Sequence, residues 1–260
     1  MQKLRIKNRD GKEIAVIVDG ENNTRGLAFV MHGLGGWKED DVATARARAF
    51  FENGFTVVRF DTRHTYGESE GAYEDASTTN YYEDLEDVID WARTEPWYRQ
   101  PFVLSGHSLG GLCVVQYAEN HPQEIQALAL VAPVVSGTLH MESKQRRKPE
   151  ELAEWEHTGW KGEPSLSKPG LIKRIPWSYA IDMRKYDTLA RADTLTMPVL
   201  FIVGEKDTIT PAENTQKLFD LLPGPKEFRM VKDGTHVFRN SAHLAEIKGI
   251  LSKWIDSWQK

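Results

Sequence analysis

The sequence predicts an α/β fold, in which a mostly parallel sheet of eight strands carries helices on both faces. Three observations lead to this prediction. Short apolar runs alternate with segments of helical periodicity along most of the 260 residues, which is typical of parallel strands joined by helices. Several runs are apolar without interruption, as expected for strands covered on both faces. One interval, between Val131 and Pro198, breaks the rhythm and predicts an insertion.

The first elements follow from turn residues and periodicity. Asp10-Gly11-Lys12 separates two β-prone runs and therefore predicts a hairpin. A helix is expected over 41–53, where apolar residues recur on one face and Gly54 ends the pattern. The strands predicted in this part of the chain are 4–7, 14–18, 26–31 and 55–60.

The later elements continue the alternation. Asn80 is expected to cap a helix that stops before Pro96, and Pro211 is expected at the first position of another. A helix also follows Leu109, and a last one carries the apolar residues between Leu244 and Trp258. The strands predicted here are 101–104, 127–131, 198–203 and 227–231.

The interval before Pro198 spans about 60 residues, far longer than a usual strand connection. We expect it to form a cap, residues 133–189, over the carboxyl edge of a core built from 1–132 and 190–260. Apolar residues alternate around Leu139 and again around Tyr179. Period two indicates a short strand at each end of the cap, with helix as the alternative.

Composition excludes several classes of function. A net charge of −5 and a pI of about 5.9 leave no excess of Lys and Arg for nucleic acid. The single cysteine, Cys113, allows no internal disulfide and is expected to be a buried small hydrophobe. No signal-peptide pattern or run of about 18 apolar residues is present. A cytoplasmic location without stable membrane association is therefore the expectation.

The segment Gly106-His107-Ser108-Leu109-Gly110 carries the strongest chemical signal. It joins a predicted strand to a predicted helix. A G-x-S-x-G at such a turn holds the serine in a strained, exposed elbow, and the glycines let strand and helix pass closely. Ser108 is therefore the candidate nucleophile.

A serine nucleophile needs a base, because its hydroxyl is protonated at neutral pH. His236 follows the last predicted strand, and Asp207 closes the strand before it. Both belong to the carboxyl edge of the sheet, in the chain order Ser, Asp, His expected for this arrangement. His236 would take the serine proton and Asp207 would orient the imidazole. Asp233 is the rival acid, although its loop position favours a solvated turn residue.

The glycine-rich segment His32-Gly33-Leu34-Gly35-Gly36 follows the third predicted strand. Its turn can direct the Leu34 amide at a developing oxyanion, together with the Leu109 amide that follows the nucleophile. We therefore expect these two backbone N–H groups to form an oxyanion hole.

With these motifs, the chain resembles the serine α/β-hydrolases over its whole length. It is similar within them to the monoacylglycerol lipase and cinnamoyl (feruloyl) esterase group, through H-G-L-G-G, G-H-S-L-G-G, P-V-L-F-I-V-G-E-K-D-T-I-T-P and D-G-T-H. The resemblance implies the α/β-hydrolase fold with a cap after the sixth strand, ester hydrolysis through an acyl-enzyme, and no cofactor. The loop from Asp61 to Ser69 departs from the family pattern D-x-R-G-H-G-x-S, so no role is carried over to His64.

The remaining histidines and the cap aromatics have competing interpretations. His32 and His107 are expected to be structural, and His64, His121, His140, His157 and His243 are expected to be ordinary surface or loop residues without metal-ligand spacing. The cap aromatics either pack the cap onto the core or line an apolar acyl site, and the sequence favours neither. They are Trp155, Trp160, Trp177 and Tyr179.

The sequence therefore predicts a serine carboxylesterase for small to medium acyl esters or aromatic, cinnamoyl-type esters. Monoacylglycerol lipase and thioesterase are the alternatives. Peptidase, carbon–carbon bond hydrolase and a non-catalytic binding protein of the same fold rank lower. The expected partners are an ester and water, with no metal, and the oligomeric state is open, a homodimer included.

Overall fold

The computed structural model describes residues 1–164, 170 and 172–258. Its main element is an eight-stranded sheet in the order β1-β2-β4-β3-β5-β6-β9-β10, which confirms the predicted sheet. Only β2 runs antiparallel to its neighbours β1 and β4, and the other pairs are parallel. The strands of this sheet are β1 (Gln2–Lys7), β2 (Glu13–Asp19), β3 (Gly26–Met31), β4 (Phe55–Phe60), β5 (Phe102–His107), β6 (Ile125–Val131), β9 (Val199–Gly204) and β10 (Lys226–Val231).

Helices cover both faces of this sheet. Helices α1 and α8 pack together on one face over a mainly apolar layer that also buries Arg46, and α2, α3 and α7 lie on the other. Strands β3, β4, β5 and β9 are buried along their whole length, as the continuous apolar runs of β3 and β9 predict. The helices of the core are α1 (Asp41–Glu52), α2 (Thr78–Ala92), α3 (Leu109–Asn120), α7 (Ala212–Leu221) and α8 (Ser241–Trp258). No helix within the described residues is long and apolar enough to cross a membrane.

Between β6 and β9 the chain forms three helices and a hairpin. These elements are α4 (Gly137–Arg147), α5 (Pro149–Thr158), β7 (Trp160–Pro164), β8 (Ile172–Pro176) and α6 (Trp177–Met183). Residues 165–169 and 171 of the predicted cap lie outside the described residues. The division into a core and a cap over 133–189 stays a prediction.

The two strands predicted at the ends of the insertion are wrong, because both segments are helical. Ser136 caps α4 by accepting a hydrogen bond from the Leu139 amide, and Pro176 precedes the first residue of α6. Helix α4 contacts both α5 and α6, so its buried residues do not form a single helical stripe. The alternation in sequence therefore reflects packing on two sides and not β structure.

Two predicted helix starts also need correction. Ser77, and not Asn80, caps α2, and its hydroxyl accepts from the Asn80 amide at 3.0 Å. Pro211 is the residue before α7, and not its first helical residue. Both differences move the start by only a few residues and leave the connections of the sheet unchanged.

Candidate active site

Ser108 occupies a sharp turn between β5 and α3. Its backbone has φ 53° and ψ −118°, a strained conformation for a residue with a side chain. A Cβ at Gly106 would lie 2.3 Å from the Gly110 carbonyl oxygen, and a Cβ at Gly110 would lie 2.3 Å from the His32 carbonyl oxygen. The strand, the helix and the neighbouring loop can therefore approach this closely only with glycine at both positions.

His236 lies between Ser108 and Asp207. Its Nε2 is 2.9 Å from Ser108 Oγ, and its Nδ1 is 2.8 Å from Asp207 Oδ2. Asp207 follows β9 and His236 follows β10, so the sheet brings both to the edge where β5 ends. The three residues are almost completely buried. The structure thus places the three side chains in one hydrogen-bonded chain.

Asp207 is held as a carboxylate by a set of donors. Its Oδ1 accepts from the Ile209 and Thr210 amides at 2.8 and 2.9 Å, and Thr210 Oγ1 lies 2.8 Å from Oδ2. Burial alone would raise the pKa of Asp207, but the hydrogen bond and charge of His236 and the bonds from Thr210 bring this pKa below its usual range. Thr210 was not among the site residues predicted from the sequence, although it lies in the segment P-V-L-F-I-V-G-E-K-D-T-I-T-P. The sequence signal that could have identified it is a hydroxyl residue three positions after an aspartate at the end of a strand.

The loop that contains Leu34 lies directly beside the nucleophile. A Cβ on Gly33 would be 3.0 Å from Ser108 Cβ, and the Gly35 amide donates to Tyr81 Oη at 3.1 Å. Within the described residues, no protein acceptor is found for the Leu34 or the Leu109 amide. The oxyanion role of these two N–H groups stays a prediction.

His32 and His107 hydrogen-bond backbone groups beside this site. His32 Nε2 accepts from the Thr62 amide at 3.1 Å, so its proton lies on Nδ1, which donates to the Gly33 carbonyl at 2.7 Å. Burial lowers the pKa of His32. Burial and the charge of His236 lower the pKa of His107 well below its usual range, and its neutral ring donates from Nε2 to the His236 carbonyl at 2.9 Å. The bond to His236 was not foreseen from the sequence.

Two of the histidines expected to be ordinary surface or loop residues are buried in part or whole; His64 does lie in a loop, whereas His140 lies on a helix. His64 has φ 59°, is buried, and bonds the Ala72 carbonyl through Nδ1 at 3.0 Å. His140 lies on α4, and its Nδ1 is buried without a hydrogen-bond partner among the described residues. Asp233, in contrast, is exposed and pairs with Lys206 at 2.5 Å, away from His236 Nδ1.

Three of the four cap aromatics contact cationic side chains: Lys144 lies over Trp155, Arg174 over Trp160 and Arg184 over Trp177. Trp155 is buried, donates from Nε1 to the Ile175 carbonyl at 3.1 Å and meets Trp177 edge to face at 5.2 Å. Tyr179 is also buried, whereas Trp160 is 42% exposed. Trp160 and Tyr179 line a surface cleft of about 620 Å³ together with acidic residues such as Glu74. These contacts favour packing for Trp155 and Trp177, and their role toward a substrate stays a prediction.

The described residues offer no group of three or more His, Cys, Asp or Glu side chains placed to hold a metal ion. Cys113 is buried on α3, and burial raises the pKa of its thiol far above the usual range. The side chains that hydrogen bonds join at this edge of the sheet are those of Ser108, His236 and Asp207.

The sheet order and the residues at its carboxyl edge define an α/β hydrolase. The family model Hydrolase_4, described as serine aminopeptidase, S33, matches residues 22–161, more than half of the chain. The chain therefore belongs to this family. The match includes Leu34 and Ser108 and ends before Asp207.

Known proteins are similar to this chain at low sequence identity. The mouse (Mus musculus) palmitoyl-protein thioesterase ABHD10, mitochondrial, is 25% identical over 74% of this chain, and the chain spans only 62% of that protein's length. The thiohydrolase aneE of Aspergillus aculeatus is 25% identical over 84% of this chain and 80% of its own length. The ferulic acid complex of Est1E from Butyrivibrio proteoclasticus has a TM-score of 0.82 at 19% identity, with 98% of both chains covered. At this identity, the solved structure shows the fold alone.

Proposed function

We propose that this α/β hydrolase is a serine carboxylesterase that acts through an acyl-enzyme on small to medium acyl or aromatic esters. The observation that carries the proposal is the pair of hydrogen bonds that links Ser108 Oγ, the His236 ring and Asp207, with distances of 2.9 and 2.8 Å. We refer to these three hydrogen-bonded side chains as the relay. Nucleophile, base and orienting acid are within hydrogen-bond reach, as this mechanism requires.

In the proposed first half-reaction, Ser108 Oγ attacks the ester carbonyl carbon while His236 Nε2 takes the serine proton. The Leu34 and Leu109 amides bind the carbonyl oxygen as it becomes negative. The tetrahedral intermediate then breaks its bond to the alcohol oxygen, which receives the proton from His236. Asp207 keeps the imidazole proton on Nδ1 and stabilises the imidazolium.

In the second half-reaction, water attacks the acyl-enzyme and gives its proton to His236 Nε2. The second tetrahedral intermediate collapses, the bond to Ser108 Oγ breaks, and the proton returns to that oxygen. Every proton has a protein or water partner, so the proposed cycle uses an ester and water and needs no cofactor.

Thioesterase activity is the second candidate, and the similarity to ABHD10 and to aneE favours it. The same relay serves both substrates, because attack on the carbonyl and binding of the oxyanion do not depend on the leaving atom. A thiolate needs less protonation on leaving, so the two activities differ mainly in the demand on His236 as an acid.

The experiment combines active-site labelling with matched substrates. A fluorophosphonate probe should label the wild-type protein once and the Ser108→Ala variant not at all. The substrate classes are then separated by comparing turnover of propyl butyrate, S-propyl thiobutyrate, p-nitrophenyl esters from acetate to laurate, methyl ferulate and a monoacylglycerol.

Labelling of Ser108→Ala at wild-type stoichiometry would contradict the nucleophile assignment. Turnover of alanine p-nitroanilide without ester turnover would replace esterase by peptidase activity. The cytoplasmic location and the oligomeric state stay predictions.

A further inference from the structure

The loop that carries the predicted oxyanion donor Leu34 is a tight turn. The Gly36 amide donates to the Gly33 carbonyl at 2.9 Å and closes a turn of four residues. Gly35, the third residue, has φ 66°, as the type II turn requires at that position. The Leu34 N–H therefore belongs to the first peptide group inside this turn.

Hydrogen bonds within the loop set the direction of that N–H. The Gly33 carbonyl accepts from His32 Nδ1 at 2.7 Å as well as from the Gly36 amide. Because the C=O and N–H of one trans peptide group point in opposite directions, these two bonds orient the Leu34 N–H relative to the loop. Contacts from outside the loop are needed to fix its place relative to Ser108.

Tyr81 supplies two such contacts. Its Oη accepts from the Gly35 amide at 3.1 Å, and its ring meets the His32 ring edge to face, with the centroids 5.7 Å apart. His32 and Gly35 flank the Gly33–Leu34 peptide group in the chain. Tyr81 lies on α2, which packs against α3, the helix that begins directly after Ser108. One side chain thus links the turn to the helix of the nucleophile.

The hydroxyl of Tyr81 is fully buried, and a phenyl ring would fill nearly the same volume without burying an oxygen. Burial raises the pKa of Tyr81 to about 12, although hydrogen bonds with Thr62, the Gly35 amide and Thr65 oppose the shift. The phenol is therefore neutral at pH 7. On the other side of the turn, a Cβ at Gly35 would lie 3.0 Å from Tyr73 Cε2. The turn is enclosed between two tyrosines, of which Tyr81 holds it by a hydrogen bond.

We propose that Tyr81 is a positioning residue, whose hydroxyl holds the Gly35 amide and thereby keeps the Leu34 N–H in place to bind the oxyanion. The inference rests on the proposed esterase function and assigns to it a residue that acts through the loop. An oxyanion hole is effective because its donors are in place before the negative charge develops. Loss of the hydroxyl should therefore weaken binding of the tetrahedral state more than binding of the ester.

Tyr81→Phe removes the hydroxyl and keeps the ring. It should lower kcat for p-nitrophenyl butyrate by about 5- to 50-fold and leave KM within about twofold of wild type. The loss is smaller than the about 10²- to 10³-fold typical of a deleted oxyanion donor, because the Leu34 N–H is displaced and not removed.

The control is Tyr82→Phe, the same substitution at the next residue of α2. Tyr82 Oη accepts from Asn120 Nδ2 at 2.8 Å, at the end of α3 that lies farthest from Ser108. This variant also loses one hydrogen bond of a tyrosine hydroxyl, so it should keep kcat and KM within about twofold of wild type.

A trifluoromethyl ketone separates positioning from a purely structural role. Ser108 Oγ adds to the carbonyl carbon of pentyl trifluoromethyl ketone, the π electron pair moves to the carbonyl oxygen, and His236 Nε2 takes the serine proton. The adduct carries the oxyanion and does not turn over. The corresponding secondary alcohol has the same carbon chain and forms no adduct. In Tyr81→Phe, the inhibition constant of the ketone should rise by about the factor by which kcat falls, and that of the alcohol should stay within about twofold.

Urea unfolding shows whether Tyr81→Phe is folded under the assay conditions. If it is not, meta-fluorotyrosine in place of Tyr81 keeps the ring and the hydroxyl but makes the oxygen a weaker acceptor. This protein should show a smaller rise in the inhibition constant of the ketone, again with no change for the alcohol. An unchanged constant for the ketone would then overturn the proposal.

Two results for a folded Tyr81→Phe protein also overturn the inference: kcat within twofold of wild type, or equal rises in the inhibition constants of ketone and alcohol. Fluorophosphonate labelling separates this from the proposed function. If Ser108 of the wild-type protein is labelled and esters are hydrolysed, either result refutes the role of Tyr81 alone. Failure to label Ser108 in the wild-type protein refutes the esterase proposal itself.

Discussion

Replacing Asp207 by Asn changes one oxygen of the relay into an NH₂ group, and the surrounding donors determine which one. Oδ1 accepts from the Ile209 and Thr210 amides at 2.8 and 2.9 Å, so the amide oxygen of Asn must take that position. The NH₂ group then occupies the place of Oδ2, 2.8 Å from His236 Nδ1. Because NH₂ can only donate, Nδ1 must become the acceptor and the imidazole proton moves to Nε2.

In that tautomer, Nε2 cannot accept the proton of Ser108, which lies 2.9 Å away. We therefore expect Asp207→Asn to lower kcat by about 10³- to 10⁴-fold, the loss typical of this substitution in a serine relay, or about 4–5.5 kcal/mol of transition-state stabilisation. KM should change little, because in the proposed mechanism the carboxylate acts on His236 and not on the substrate. The two amide bonds to Oδ1 are kept, so the unfolding midpoint in urea should stay close to wild type.

The assay measures kcat and KM for p-nitrophenyl butyrate from pH 6 to 9, with the rate of fluorophosphonate labelling as a second readout. Asp233→Asn is the matched control. It removes the same charge from an exposed carboxylate that pairs with Lys206, and it should keep nearly full activity. An Asp207→Asn protein within tenfold of wild-type kcat, or a larger loss in Asp233→Asn, would refute the tautomer argument.

Three further changes have distinct expected outcomes. Gly33→Ala should lower kcat by about 10²-fold, because the added Cβ would lie 3.0 Å from Ser108 Cβ and shift the Leu34 amide. Gly249→Ala is the control and should leave kcat unchanged, because nothing lies within 4 Å of its added Cβ. Equal kcat values in the two variants would contradict this reasoning. Trp155→Ala should lower the free energy of unfolding in urea by about 3–5 kcal/mol, because the ring is buried. Trp160→Ala should lower it by less than about 1 kcal/mol, because that ring is exposed. Similar losses in the two variants would refute the packing assignment. Burial raises the pKa of Glu119 from 4.5 to about 8, so the folded state holds this proton more tightly and loses stability as the pH rises through that range. Glu119→Gln should flatten the unfolding free energy between about pH 4.5 and 8, and an unchanged slope would show that this carboxyl is not the cause.

Much of the core could be predicted from the sequence, because the pattern of apolar residues indicates where each strand lies. Short continuous apolar runs such as those of β3 and β9 are typical of strands covered on both faces, and the carboxyl ends of parallel strands lie at one edge of the sheet. The expected positions of Ser108, Asp207 and His236 follow from that edge, and the structure brings their side chains together.

The cap could not be predicted in the same way, because tertiary contacts decide its local structure. Buried residues in α4 alternate along the chain, since the helix packs against α5 and α6, and the pattern imitates a strand. The unpaired nitrogen of His140 and the bond from His107 to the His236 carbonyl depend on side chains that are distant in sequence. No spacing rule predicts such contacts.

The edge strands of the sheet bear on how copies of the protein meet in solution. Strand β1 has an open edge whose exposed side chains include Lys3, Arg5 and Lys7. Strand β10, at the other edge, is largely exposed and carries charged residues as well. Joining two molecules by strand addition would strip water from these cations and their carboxylate partners, so charge on an edge opposes aggregation. A homodimer of this hydrolase is therefore expected to use a face other than either end of the sheet.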